Sequence, residues 1–224
     1  MARVIVVGSI NQDVTVTVDR FPTPGETLSG SSLTYGLGGK GANQAAAAAR
    51  SGIPTLFVGA VGTDLAGHSL RTHLAAHGVD VSHLREVDSP SGTALITVAA
   101  SGENTIILDA GANRASSIAH AKASLFPTPS DIVVLQAEIP PAANAAAIEW
   151  AHSFGARVLL NLAPARATDP ATLSRVDILV VNETEAGLTL GMPAPATPTE
   201  AIGVARALRG MGPRHVVVTL GAQG

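Results

Sequence analysis

An α/β fold with a mostly parallel central sheet and a small second β-sheet is predicted by three features of this 224-residue sequence. The continuous β-branched run Val4 to Val7 and the segment Asp131 to Leu135 read as strands buried on both faces, as in a parallel sheet. Alanine-rich helical stretches alternate with such runs. Val14 to Asp19 breaks the rhythm, because strict apolar–polar alternation gives a strand with one dry and one wet face.

Taken in order, Arg3 to Val7 is the first core strand and ends at Gly8-Ser9-Ile10-Asn11-Gln12-Asp13. In an open α/β sheet, ligands bind beyond the carboxyl ends of the strands, which is where Asn11 and Asp13 fall. A carboxylate that only accepts beside an amide that also donates suits a polyhydroxylated ligand; a plain turn uses the same residues. After Val14 to Asp19, the rigid turn Phe21 to Gly25 leads to Glu26 to Leu33, a second candidate for the small sheet. Thr93 to Ala99 and Thr105 to Asp109, joined by Ala100 to Asn104, form a hairpin. Four strands outside the main rhythm suggest a β-sheet lid, drawn from about residues 14–35 and 92–109, with surface left for self-association.

Between these pieces the α/β alternation holds. Thr55 to Val61 is a strand, Ala66 to His77 a helix and Val79 to Val87 extended. Asp131 to Leu135 ends in Gln136-Ala137-Glu138, and Pro140 and Pro141 suit the start of a helix carrying Ala142 to Phe154. Glu138 therefore sits at a carboxyl end, as Asp13 does. Arg157 to Leu162, Asp177 to Val181 and His215 to Leu220 are further strands; the last delivers Gly221-Ala222-Gln223-Gly224. One domain spanning residues 1–224 accommodates all of this.

The string Gly36-Leu37-Gly38-Gly39-Lys40-Gly41-Ala42-Asn43 runs into the alanines after Gln44. Its glycines let a ligand approach the backbone, and a helix opening there aims N–H groups and a positive dipole end at an anion or an oxygen-rich ligand. It is not a P-loop, because Gly41 follows Lys40 where Ser or Thr should hold magnesium. Gly36-x-Gly38-x-x-Gly41 matches the dinucleotide fingerprint literally, but the polar run Thr27 to Tyr35 is a poor buried strand to precede it.

Composition narrows the function classes. A net charge of -3 gives no electrostatic footprint for nucleic acid. The absence of cysteine excludes disulfides, thiolate metal sites and thiol catalysis. No apolar run reaches membrane length, so the cytoplasm is the expected compartment. His73 and His77 have the spacing of a two-histidine metal site without a third ligand, and read as solvated helix-face residues.

Taken together, Gly8 to Asp13, Phe21 to Thr27, Gly38 to Ala45, Asp109 to Asn113, Asn182 to Glu185 and Thr219 to Gly221 resemble the ribokinase family of sugar kinases, in the right order along the whole chain. The resemblance implies a three-layer α/β/α ribokinase-like fold, with a lid that closes over the sugar and often forms a homodimer. It also implies transfer of the ATP γ-phosphoryl group to the primary 5-hydroxyl of ribose. Carried over by motif, Asn11, Asp13, Gly39, Lys40, Asn43 and Glu138 would surround the sugar. Asn182, Thr219, Gly221 and Gly224 would lie on the nucleotide side, and Asn182 with Glu185 would organise Mg2+ through water.

Leu162 and Val181 stand where the family commonly has proline. The family's Asp-Thr-x-x-Ala/Gly-Gly-Asp segment, which carries the anion hole and the catalytic base beside a K+ loop, is not in these residues. The expectation is therefore a C-terminally truncated kinase with its base beyond Gly224 and little activity. A kinase for another sugar or a nucleoside, or a non-catalytic sugar-binding or dimerising module, are the alternatives.

Overall fold

The computed structural model describes residues 2–166 and 168–223. Its strands are Val4–Val7 (β1), Asn11–Val18 (β2), Ser32–Gly38 (β3), Thr55–Gly62 (β4), Asp80–Val87 (β5), Gly92–Ala99 (β6), Asn104–Asp109 (β7), Ile132–Gln136 (β8), Arg157–Asn161 (β9), Ile178–Asn182 (β10) and His215–Thr219 (β11). The helices are Lys40–Arg50 (α1), Leu65–Ala76 (α2), Pro141–Ser153 (α3), Pro170–Leu173 (α4), Glu183–Leu190 (α5) and Pro198–Gly210 (α6).

Seven strands form the central sheet in the order β11-β10-β9-β8-β1-β4-β5, and every neighbouring pair is parallel. All their carboxyl ends therefore lie along one edge, where Gly8, Gln136, Asn161, Asn182 and Thr219 are delivered side by side. Successive side chains of each strand enter different cores. Ile5, Val7, Val133 and Leu135 pack with Ala147, Ile148 and Trp150 of α3, Leu173 of α4, Ala186 of α5 and Val204 and Leu208 of α6. Val6, Phe57, Val61 and Val134 pack with Ala42, Ala45 and Ala46 of α1 and Leu70 and Leu74 of α2. These two cores make the three layers α/β/α that the resemblance implied. Truncating a side chain as enclosed as Leu74, 0% exposed, to alanine should cost about 2–5 kcal/mol.

The second sheet has the order β3-β2-β6-β7, with β2 antiparallel to β3, parallel to β6, and β6 antiparallel to β7. Direct pairing puts Asp13, Gly36, Ala94 and Leu108 on one face and Val14, Tyr35, Leu95 and Ile107 on the other. On that second face Tyr35, Leu95 and Ile107 are exposed, whereas Val14 and Val16 of β2 are half-buried.

The lid boundaries differ from those expected. The sheet starts at Asn11 and reaches Gly38, and Glu26 to Gly30 is not a strand. Residues 32–38 pair instead, held by the backbone ladder to β2 rather than by buried side chains, which is why their polar composition hid them. A strand does run into α1, but its residues 32–36 are exposed, so it is not a buried strand, in keeping with the reading of Thr27 to Tyr35. It belongs to an antiparallel pair of the lid and not to a βαβ unit, so the dinucleotide reading gains nothing.

Candidate active site at the carboxyl edge of the sheet

Four elements converge where β1 gives way to the lid. Gly39 precedes α1 with φ 88, and a Cβ there would press on Ile10 Cα at 2.8 Å and Ser9 O at 2.9 Å. Only glycine meets both demands. At Gly38 a Cβ would run into the carboxylate of Asp13, so the missing side chain leaves that carboxylate its place.

The N-terminus of α1 is not open to a ligand in the way the glycine string suggested. Its amides are already taken by the protein's own oxygens. Lys40 N–H donates to Glu138 Oε2 (2.9 Å), Gly41 N–H to Ser9 Oγ (3.3 Å) and Ala42 N–H to Ser9 O (2.9 Å). The hydroxyl of Ser9, a residue 0% exposed, donates to the same Glu138 Oε2 at 2.6 Å. The anion at this helix end is therefore Glu138, and its other oxygen, Oε1, has no hydrogen bond among the described residues.

Asp13 lies half-buried on the site-facing side of β2. Burial, and after it the nearby charge of Glu138, hold its carboxyl above the usual aspartate range. Asn11, 3% exposed, starts the same strand and is gripped by Asn113, whose Nδ2 donates to Asn11 Oδ1 at 2.7 Å. Lys40 is half-buried beside this group, and Asn43 is exposed one turn into α1. Of the residues expected around a sugar, Asn11, Asp13, Gly39, Lys40 and Glu138 cluster, with Asn43 at the rim.

Beneath them runs a chain of amide side chains: Gln136 Nε2 donates to Gln44 Oε1 (2.7 Å), Gln44 Nε2 to Asn161 Oδ1 (3.1 Å), and Asn161 Nδ2 to Val180 O (3.2 Å). This strut ties α1 to the ends of β8, β9 and β10. Sequence reasoning missed Ser9, Asn113 and this strut as parts of the site. Ser9 and Asn113 stood inside quoted motifs, but nothing local marked their partners.

The expected nucleotide side is further along the same edge. Asn182 caps α5, accepting from Glu185 N–H at 2.7 Å, while Glu185 Oε2 accepts from Asn182 N–H at 2.9 Å. This reciprocal capping box is a complete structural use of an Asn-x-x-Glu spacing. Thr219 and Gly221 are exposed at the end of β11, and Gly221 has φ 51 at the start of a 3-10 turn. Gly224 lies outside the described residues. Among those residues no group of three or more His, Asp or Glu side chains forms a metal cluster, and no helix is long and apolar enough to cross a membrane.

Comparison with known proteins agrees with this architecture. The profile of the pfkB family carbohydrate kinases matches residues 1–224. The chain is 38% identical over 221 residues to ribokinase of Haemophilus influenzae, covering 98% of this chain and 72% of that protein. It is also 38% identical to ribokinase of Staphylococcus aureus over 228 residues, 99% of this chain and 74% of the relative. Among solved structures, Arabidopsis thaliana ribokinase complexed with ribose and ATP superposes with a TM-score of 0.89 at 33% identity, over 100% of this chain and 74% of the other.

Proposed function

Because this chain belongs to the pfkB family of carbohydrate kinases, we propose that its sugar is ribose and that ATP phosphorylates the 5-hydroxyl, giving ribose 5-phosphate. The observation that carries the reading is the facing pair Asp13 and Glu138, backed by a glycine loop and joined by a clamped Asn11. Two carboxylates and an amide at one cleft accept and donate to several hydroxyls at once, which a furanose or its open chain offers and an apolar substrate does not. Gly39, Lys40 and Asn43 line the other side.

Asn182, Thr219, Gly221 and Gly224 are assigned to the nucleotide. Magnesium fits the residues only as an outer-shell partner: the capping box engages Asn182 Oδ1 and Glu185 Oε2, leaving Glu185 Oε1 to hold a water. An ion that keeps most of its waters asks no more. Bound with the nucleotide, it would neutralise charge on the phosphates. The general base, the anion hole and a K+ site are proposed for the part of the relatives' length that the match leaves out. Self-association as a homodimer is proposed for the lid face bearing Tyr35, Leu95 and Ile107, exposed by 64%, 52% and 66%.

Calorimetry with ribose, 2-deoxyribose, fructose and adenosine, together with ADP release, tests the reading. Ribose should bind in preference to the other three, and ADP release by the 224-residue protein should be negligible. Preference for another compound would move the chain to a sister activity. Efficient ribose turnover would overturn the placement of the base outside these residues.

A further inference from the structure

Chain crossings between the two sheets meet at one buried side chain. Asn113, 1% exposed, lies in the 3-10 turn Gly111–Ala115 that follows β7. Its Oδ1 accepts from the N–H of Ile10 at 2.9 Å, and its Nδ2 donates to the carbonyl of Ile10 at 3.1 Å and to Asn11 Oδ1. Ile10 belongs to the crossing from β1 to β2. Gly92, the first residue of β6, comes so near that a Cβ there would run into Asn113 Nδ2 and Asn11 Oδ1.

These partners fix which end of each amide points where. A backbone N–H only donates and a carbonyl only accepts, so Ile10 admits a single orientation of Asn113. The second Nδ2 proton then faces Asn11, which must meet it with oxygen. Asn11 is left with its NH2 as the end turned to a ligand. Asp13, two residues on and on the same face of β2, is an acceptor when ionised.

We propose that Asn113 is a positioning residue for the sugar, which holds Asn11 as a hydrogen-bond donor. The site then requires an acceptor oxygen opposite Asn11 and a hydroxyl donor opposite Asp13, a polarity that discriminates among sugar oxygens. This rests on the reading that Asn11 contacts the sugar.

The test is a double-mutant cycle in ribose affinity, read by calorimetry with thermal unfolding alongside. Asn113→Asp keeps the shape but removes both Nδ2 protons, and about a tenfold to thirtyfold loss of ribose affinity is expected with nucleotide affinity unchanged. In an Asn11→Ala background the same change should cost less than about twofold, because its effect passes through Asn11. Equal losses in the two backgrounds would overturn the proposal alone. An Asn11→Ala protein with undiminished ribose affinity would overturn the sugar-site reading and the proposal with it. If Asn113→Asp does not fold, the unaltered protein decides by side-chain amide NMR. Both Nδ2 protons of Asn113 should exchange slowly with deuterium, and the amide signals of Asn11 should move on adding ribose; fast exchange at Asn113 or no movement at Asn11 counts against it.

Discussion

The two ends of the carboxyl edge are built by different means. Toward the lid, Glu138 and Asn11 are held by residues remote in the chain: Glu138 by Ser9 and by the amide of Lys40, 129 and 98 residues away, and Asn11 by Asn113, 102 residues away. Around Asn182 the holding residue is three positions along. The first arrangement exists only when the whole sheet is assembled, and its polar groups are withdrawn from water. The second forms with one turn of helix and stays exposed. The sugar proposed for the first end would thus meet a site fixed in advance, whereas the proposed nucleotide side keeps the looser architecture of a helix cap.

That contrast breaks most sharply at Asp13. Asp13→Ala removes a charge-assisted acceptor from the fixed end and should weaken ribose binding thirty- to hundred-fold, about 2–3 kcal/mol, with nucleotide affinity nearly unchanged in calorimetry. A comparable loss for both ligands would mean the two ends act as one.

Ser9→Ala comes next. Glu138 Oε2 would keep the Lys40 amide and lose the hydroxyl, so ribose affinity should fall about fivefold to tenfold, equivalent to about 1–1.5 kcal/mol. Ribose titrations that match the unaltered protein would show that Glu138 needs no remote support.

At the other end, Asn182→Ala should lower unfolding stability by about 1 kcal/mol through loss of the cap, with ribose affinity unmoved. Chemical denaturation reads the first quantity, calorimetry the second.

The smallest effect concerns pH. A raised folded-state pKa means that the native protein binds more protons at Asp13 than the unfolded chain does between the ordinary aspartate value and the raised one. Stability contributed there is present in acid and lost as pH rises through the folded pKa, so ionised Asp13 destabilises the empty protein at neutrality. Asp13→Asn should therefore raise the neutral-pH melting temperature slightly while weakening ribose binding. Ribose affinity of the unaltered protein should fall, on acidification, at a pH above the usual aspartate range.

The same contrast explains what could be read from the sequence. The inner parallel strands were legible because burial on both faces writes itself as unbroken apolar runs, in β1 and β8 most plainly. The Asn182–Glu185 spacing was legible because its partners are neighbours. Glu138 was placed at a strand end correctly, yet nothing near it in the chain announces Ser9, and the dipole end of α1 was expected to serve a ligand when it serves Glu138. Strand β3 was expected too early, at Glu26 to Leu33, because its stability comes from backbone pairing, which carries no side-chain signature.

The pairing of the lid strands has a mechanical consequence. Asn11, Gly38 and Gly92 share one row of the ladder, Asp109 sits one residue on, and all four strands enter or leave the main body there. The far row, from Ser32 across Thr17 to Val98 and Asn104, has no such attachment. The lid is a cantilever, clamped along its root and free at its tip, about 20 Å away at the usual rise per residue. The residues proposed to hold the sugar are at the clamp. A tilt of about 10° at the root would shift contacts in the Asn11 row by a fraction of an ångström and those at Asp13, two residues out, by about 1 Å, yet sweep the tip through about 3–4 Å by that same length, so this geometry would turn a small adjustment around a ligand into a larger displacement of the outer surface.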